Sequence, residues 1–167
     1  MEQCNPGRTA PQNAMRGCEC PAFLRALQRA YADELSAVTD YTYASILLQR
    51  ALPSASSLLL DISKDEMHHY RALGELLREL GASFALSARV TNTPYRLNED
   101  EDSHAVAVTR RILRENLPKE QSASTSYQKL ANVAKSEVAR ALLTELARDE
   151  EAHAVALGNL AKKLAYS

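Results

Sequence analysis

The stretch that decides the fold is residues 59–76, LLDISKDEMHHYRALGEL. Its apolar side chains recur every three or four residues, a spacing typical of an α-helix that buries one face. A glutamate and, three residues later, a histidine stand in line with that apolar stripe. Residues 143–160, LTELARDEEAHAVALGNL, repeat the pattern 84 positions later. The polar pairs of the two predicted helices are Glu66 with His69 and Glu150 with His153.

The helices predicted before these two also match each other. Residues 34–41, ELSAVTDY, resemble residues 120–127, EQSASTSY, and each segment begins with a glutamate in line with an apolar stripe, Glu34 and Glu120. Two copies of one antiparallel hairpin follow, joined by the long polar segment 82–102 as a crossover. The expected fold class is therefore all-α, a bundle of four helices. The predicted helices span about 21–51, 54–80, 103–134 and 136–165.

Three residues mark features of these helices. Gly81 is expected to cap the C-terminus of the second helix, and Ser136 the N-terminus of the fourth. Pro118 lies inside the third helix, where it cannot donate a hydrogen bond to the Arg114 carbonyl. A kink in the third helix is expected there.

Length and charge narrow the classes of function. The chain has 167 residues, which suggests one bundle domain over residues 21–167 after a flexible tail over residues 1–20. Its 20 basic and 21 acidic residues leave no basic excess for phosphates, so nucleic acid is not an expected partner. No apolar run reaches the ~18 residues of a membrane span, and the N-terminal residues lack the pattern of a signal peptide. We therefore expect a cytoplasmic protein that does not bind membranes.

The three cysteines all lie in the predicted tail, at Cys4, Cys18 and Cys20. An odd number of cysteines does not indicate a disulfide framework, and a structural zinc site would need a fourth ligand. The simplest interpretation is a tail that carries reduced thiols. A Cys-x-Cys redox or metal-binding element, or a cross-link between subunits, is the alternative.

Four glutamates and two histidines would all enter one bundle core. Burial of several carboxylates is costly unless their charge is compensated, and no lysine or arginine falls near them in the apolar stripes. Two divalent cations would compensate the charge, and a donor set rich in oxygen with two nitrogens suits iron or manganese better than zinc. The predicted metal ligands are Glu34, Glu66, His69, Glu120, Glu150 and His153.

The other two histidines are expected to stay away from the metals. His68 lies about 100° round the helix from His69 and should point elsewhere. A third Glu-x-x-His runs from Glu101 to His104. Because no apolar stripe surrounds it, both residues are predicted to be solvated in a polar loop.

A glutamate, a Glu-x-x-His, a second glutamate and a second Glu-x-x-His on successive helices resemble the ferritin-like di-iron carboxylate superfamily. Residues 62–76, ISKDEMHHYRALGEL, are most similar to its rubrerythrin-like branch, with some similarity to the ligand sets of bacterioferritin and manganese catalase. The resemblance implies a ferritin-like four-helix bundle. It also implies that Glu34 and Glu120 are terminal ligands, that Glu66 and Glu150 bridge two metals, and that one histidine completes each metal.

Further contacts are expected around the ligands. The resemblance implies that Asp65 and Asp149 each cross to the histidine of the other hairpin; simple exposed aspartates are the alternative. Tyr41 and Tyr127 follow their glutamates by seven residues, two turns along the same face. Because a buried phenol needs an acceptor, each hydroxyl is expected to bond to a carboxylate ligand of the other half. Tyrosines that only fill the core are the alternative.

Two departures from full-length rubrerythrins bear on function. Rubredoxin-type Cys-x-x-Cys pairs are missing, and Ala123 stands where those proteins carry an extra carboxylate.

We expect an oxidoreductase of peroxidase, oxidase or catalase type, with two iron or alternatively two manganese ions. Its partners would be O₂ or hydrogen peroxide, an unidentified electron donor, and a second copy in a homodimer. A ferroxidase or iron-handling protein without cage storage, or a metal-binding protein without turnover, is the alternative.

Overall fold

The computed structural model of the protein describes residues 19–83 and 101–165. Within these two ranges the chain is helical and contains no strand, so the predicted all-α class is confirmed. None of the helices found there has an apolar stretch long enough to cross a membrane. The helices are α1 (Pro21–Leu48), α2 (Pro53–Glu79), α3 (Glu101–Val133) and α4 (Glu137–Ala165).

Proline sets the boundary between the first two helices. Pro53 occupies the first turn of α2, and its ring keeps Leu52 out of the helical region, at φ −144° and ψ 74°. Helix α1 ends at Leu48, three residues before the predicted end at residue 51. A short turn therefore holds α1 and α2 together as a hairpin.

Both predicted caps are confirmed. Gly81 has a φ of 71°, and the next residue, Ala82, donates its backbone N–H to the Leu77 carbonyl at 2.9 Å. This is the hydrogen bond of a Schellman motif, which ends a helix on a left-handed residue. At the start of α4, Ser136 Oγ accepts a hydrogen bond from the backbone N–H of Ala139 at 3.3 Å.

The start of α3 corrects one prediction. Residues 101–104 are not a polar loop, because α3 already begins at Glu101. Ala105 and Thr109 are fully buried one turn apart and carry the buried face of α3 back toward its start. Small and hydroxylated side chains give a weak apolar signal, which is why the sequence pattern missed them. His104 is exposed, as predicted.

Some predictions about the tail, the crossover and the third helix are not tested by the described residues. Residues 1–18 of the predicted tail and residues 84–100 of the crossover lie outside the described residues. Cys20 is exposed with a free thiol, and Glu19 accepts a hydrogen bond from the backbone N–H of Lys135 at 2.9 Å. Helix α3 runs without interruption through Pro118. The kink expected at that proline stays a prediction.

Consecutive helices pair as α1 with α2 and α3 with α4, and across the bundle α1 packs on α3 and α2 on α4. The apolar core has two halves. Leu27, Leu73 and Leu143 are fully buried in one half, and Leu59 and Leu157 in the other. Buried polar residues from all four helices occupy the sequence positions between these halves. The bundle thus places a polar layer in the middle of an apolar core.

The backbone conformation of Gly81 can be tested by substitution. Because L side chains rarely adopt its φ of 71°, Gly81→Ala is expected to lower the free energy of unfolding by about 1 kcal/mol. Gly158→Ala is a matched control, since neither added Cβ would meet an atom within 4 Å. The control should be neutral or stabilising by up to about 1 kcal/mol, because alanine favours helix more than glycine does. Urea unfolding followed by circular dichroism measures both, and equal effects would contradict a conformational cap at Gly81.

Candidate metal centre

The polar layer consists of the six predicted ligands, and the structure brings all six together. None of them is more than 6% exposed. Their donor atoms form two groups, and within each group the atoms lie within 4.8 Å of one another. One group contains Glu34, Glu66, His69 and Glu150, and the other contains Glu66, Glu120, Glu150 and His153. Glu66 and Glu150 belong to both groups.

Helical spacing explains how the layer forms. Residues three apart on a helix point the same way, so α2 presents Glu66 together with His69, and α4 presents Glu150 together with His153. Nδ1 of His69 lies 3.0 Å from Glu150 Oε1, and Nδ1 of His153 lies 2.9 Å from Glu66 Oε1. Each histidine thus faces the glutamate of the other Glu-x-x-His helix, as expected for a duplicated hairpin.

The layer fits a pair of divalent cations. The donor nitrogens and oxygens of the six residues lie close together, yet five of them make no hydrogen bond of acceptable geometry. Buried polar atoms in proteins are rarely left without a hydrogen bond. A metal ion can accept a lone pair from each of them. The atoms are Glu66 Oε1, His69 Nδ1, Glu120 Oε2, Glu150 Oε1 and His153 Nδ1.

No lysine or arginine compensates the charge of the layer within the described residues. Among residues 19–83 and 101–165, the ion pairs of lysine and arginine link exposed side chains such as Lys64 with Asp61 and Arg71 with Glu75. None of them involves the four buried glutamates. A core in which lysine or arginine side chains neutralise the carboxylates is therefore not what this part of the protein contains.

In the absence of a metal, protons carry part of this compensation. Burial raises the pKa of Glu34 to about 8 and the pKa of Glu150 to about 9. Burial lowers the pKa of His153, but the carboxylates of Glu120 and Glu66 outweigh that effect and raise it to about 10. The metal-free layer therefore holds protons at neutral pH, and cations that bind these donors would displace them.

The two aspartates face the histidines of the opposite hairpin. Asp149 Oδ2 lies 3.4 Å from His69 Nε2, and Asp65 Oδ2 lies 3.5 Å from His153 Nε2. These distances exceed the ~2.9 Å of a typical N–H···O hydrogen bond, so the contacts are weak. They nevertheless engage Nε2 and leave Nδ1 directed at the carboxylates, an arrangement that fixes how each imidazole is oriented.

Two tyrosine hydroxyls reach the layer from opposite sides of the core. Tyr41 on α1 donates a hydrogen bond to Glu120 Oε1 on α3, and Tyr127 on α3 donates one to Glu34 Oε1 on α1. Both hydrogen bonds run to the other hairpin, as the sequence predicted. Burial and the nearby carboxylates raise the pKa of both phenols far above the usual value, so both stay protonated donors. Their effect on turnover stays a prediction.

One polar link near the layer was not predicted. Asn116 is buried and donates a hydrogen bond to Asp40 Oδ2 at 3.1 Å, which joins α3 to α1. It precedes Glu120 by four residues and therefore lies one turn away on the same face. That position in the stripe was the signal that could have identified it. His68, by contrast, is exposed and belongs to neither donor group, as expected.

Comparison with known proteins agrees with this geometry. Residues 24–166 match the model of the family described as ferritin-like domain, and the chain belongs to that family. The predicted membership of the ferritin-like carboxylate superfamily is thereby confirmed. Comparison with curated proteins gave no match.

Three solved structures share the fold at low sequence identity. The dodecameric thioferritin, a bacterioferritin-related protein from Bacteroides fragilis, has a TM-score of 0.67 and 18% identity over 87% of both chains. The manganese catalase from Anabaena has a TM-score of 0.66 and 18% identity over 99% of this chain and 80% of its own. A conserved hypothetical protein from Mycobacterium tuberculosis has a TM-score of 0.60 and 17% identity over 84% of this chain and 91% of its own. At these identities the likeness shows the fold alone.

Adjacent histidines offer a direct test of the metal centre. His69→Ala is expected to lower the bound metal by about one ion per chain, since it removes a nitrogen donor from one group. His68→Ala is the matched control and should leave the metal content unchanged. Elemental analysis of both variants by mass spectrometry, after loading with iron or manganese, gives the result. Equal metal content in the two variants would rule out His69 as a ligand.

Proposed function

We propose that the protein is an oxidoreductase with a dinuclear metal centre that acts on O₂ or hydrogen peroxide. Six buried donors carry this proposal, because Glu66 and Glu150 are common to both donor groups and so suit two adjacent metals that share carboxylates. Two iron ions, or alternatively two manganese ions, suit such an oxygen-rich set. The ligands would be Glu34, Glu66, His69, Glu120, Glu150 and His153.

A pair of redox-active metal ions, when bound, supplies two-electron exchange with O₂ or peroxide. The chain holds the donors in place for this chemistry. Asp149 and Asp65 contact the outer nitrogens of the two imidazoles and so limit the rotation of these rings. Each histidine therefore keeps Nδ1 directed at the carboxylates.

The tyrosines restrain two of the carboxylates. Tyr41 holds one oxygen of Glu120 and Tyr127 holds one oxygen of Glu34, which leaves the second oxygen of each available as a donor. Because the phenols remain protonated, they act as hydrogen-bond donors and do not add negative charge to the layer. We propose that these bonds steady the carboxylates as the charge of the centre changes.

The apolar halves of the core keep bulk water away from the layer. Glu66 is 1% exposed and Glu150 is 2% exposed, with fully buried leucines on both sides of the layer. Electrostatic interactions are stronger in such a low-dielectric setting than in water. Small uncharged molecules such as O₂ and hydrogen peroxide suit a centre of this kind better than bulky substrates do.

Iron handling is the second candidate function. One structural neighbour is described as a thioferritin related to bacterioferritin, and another as a manganese catalase. In this reading Fe²⁺ would be a substrate that O₂ or hydrogen peroxide oxidises at the layer, and the protein would then pass the iron on. The dodecameric state of the thioferritin also favours self-association, so we propose a homo-oligomer with a homodimer as its smallest unit. The electron donor, and the expected cytoplasmic location, stay predictions.

Metal analysis combined with turnover tests the proposed function. Protein purified from its native host should contain about two iron or manganese ions per chain. Hydrogen peroxide should then be consumed, with O₂ released if the protein is a catalase, or only with an added electron donor if it is a peroxidase. Fe²⁺ uptake well beyond two ions per chain would assign iron storage instead. Metal-loaded protein that reacts with neither O₂ nor peroxide would contradict the proposal.

The role of the tyrosines can be tested separately. Tyr41→Phe and Tyr127→Phe should keep the fold and the metal content, yet slow oxidation by O₂ or peroxide by about tenfold, because each removes a charge-assisted hydrogen bond. Tyr43→Phe, a half-buried tyrosine on α1 outside the polar layer, is the matched control. Stopped-flow absorbance of metal-loaded protein measures the rates. Unchanged rates in both variants would show that Tyr41 and Tyr127 only fill the core.

A further inference from the structure

The two hairpins are copies of each other, but a stacked pair of tyrosine rings in the first hairpin has no counterpart at the equivalent described positions of the second. Tyr31 on α1 and Tyr70 on α2 stack with ring centroids 4.2 Å apart and planes 20° from parallel. A Cβ added to Gly74 would come within 3.1 Å of the Tyr31 ring, so the ring lies directly against that glycine. In the first hairpin, two tyrosine rings therefore fill the space between the helices beside Gly74.

The equivalent positions in the second hairpin carry smaller side chains. Leu117 and Ala154 stand where the first hairpin has its two tyrosines, and Gly158 stands where it has Gly74. A Cβ added to Gly158 would meet no atom within 4 Å. These three residues line a cavity of about 990 Å³ between α3 and α4. The second hairpin thus leaves open a space that side chains occupy in the first.

The open space has an apolar base and a basic margin. Leu117, Ala154 and Gly158 supply apolar surface, while Lys129, Arg148 and Lys162 supply three positive charges against the single carboxylate of Glu151. In the described part of the chain, none of the three basic residues forms an ion pair. The cavity therefore combines room for an apolar ring with an uncompensated positive charge.

We propose that this cavity binds an organic anion with an apolar, ring-sized body, of which an aromatic carboxylate is the simplest case. The ring takes the place that the tyrosine rings occupy in the first hairpin, against Leu117, Ala154 and Gly158. The anionic group meets the basic margin. The volume of about 990 Å³ lies at the upper end of the range of small-molecule sites, roughly 300–1,000 Å³.

The binding site is distinct from the metal centre but lies on the same helices. Gln121, Glu151 and Ala154, which line the cavity, each follow a proposed metal ligand by one position. Because neighbouring residues point about 100° apart on a helix, the cavity and the polar layer use different faces of α3 and α4. Binding of the anion therefore requires no metal and does not depend on the proposed redox function.

Titration calorimetry of the full-length protein with 2-naphthoate tests the site, with and without metal. One naphthoate per chain should bind with a Kd of about 1 mM, as expected for a ligand of this size. The neutral analogue 2-naphthamide should bind about fivefold more weakly or worse, because it cannot use the basic margin. Acetate, which lacks the ring, should show no saturable binding. Equal affinity for naphthoate and naphthamide, or no saturable binding of naphthoate, would overturn the proposal.

Variants locate the binding site. The double substitution Leu117→Tyr with Ala154→Tyr recreates the tyrosine pair of the first hairpin and should abolish naphthoate binding. Arg148→Gln, at an exposed position where misfolding is not expected, should weaken naphthoate binding but not naphthamide binding. Ile46→Ala, on the exposed side of α1, is the control and should bind naphthoate unchanged.

Other results would overturn the assignment. Full naphthoate affinity in the double variant, or in Arg148→Gln, would place the anion elsewhere. A parent protein that binds no naphthoate, with a double variant that changes its oligomeric state, would assign the cavity to a contact between copies of the chain.

Discussion

Four carboxylates in the middle of an apolar bundle impose the constraint on which the rest of the structure depends. A carboxylate removed from water is costly unless opposite charge or hydrogen bonds compensate it. The described chain brings no lysine or arginine to these groups, so protons compensate them in the absence of metal, with the pKa of Glu34 at about 8 and that of Glu150 at about 9. Cations that displace those protons would join all four helices through their ligands. The proposed metal binding would therefore also stabilise the bundle.

Because the hairpin is duplicated, each copy contributes the same kinds of contact to the buried carboxylates of the other. Each hairpin carries donors that the other needs: Tyr41 bonds to Glu120, Tyr127 bonds to Glu34, and each histidine faces a glutamate on the opposite hairpin. One hairpin alone could not complete either donor group. Away from this layer the two copies differ, for example where Leu117 stands at the position equivalent to Tyr31. A second binding site can arise there without disturbing the first.

Membership of the ferritin-like family does not by itself determine the reaction, since one fold hosts several chemistries. The same oxygen-rich donor set accepts iron or manganese, and geometry alone does not distinguish them. What distinguishes activities in such a bundle is the surroundings of the ligands. Here they include the hydrogen bonds from Tyr41 to Glu120 and from Tyr127 to Glu34.

Periodicity and internal repetition were sufficient to predict the helices, the six residues of the polar layer and the direction of the tyrosine bonds. These features depend on which face a residue occupies, and spacing along a helix decides the face. Distances between helices do not follow from spacing. Only the packed bundle shows that Glu66 and Glu150 belong to both donor groups and that α3 begins at Glu101. The cavity beside Gly158 is likewise a product of packing, because an absent side chain leaves no apolar pattern and its space exists only once two helices meet.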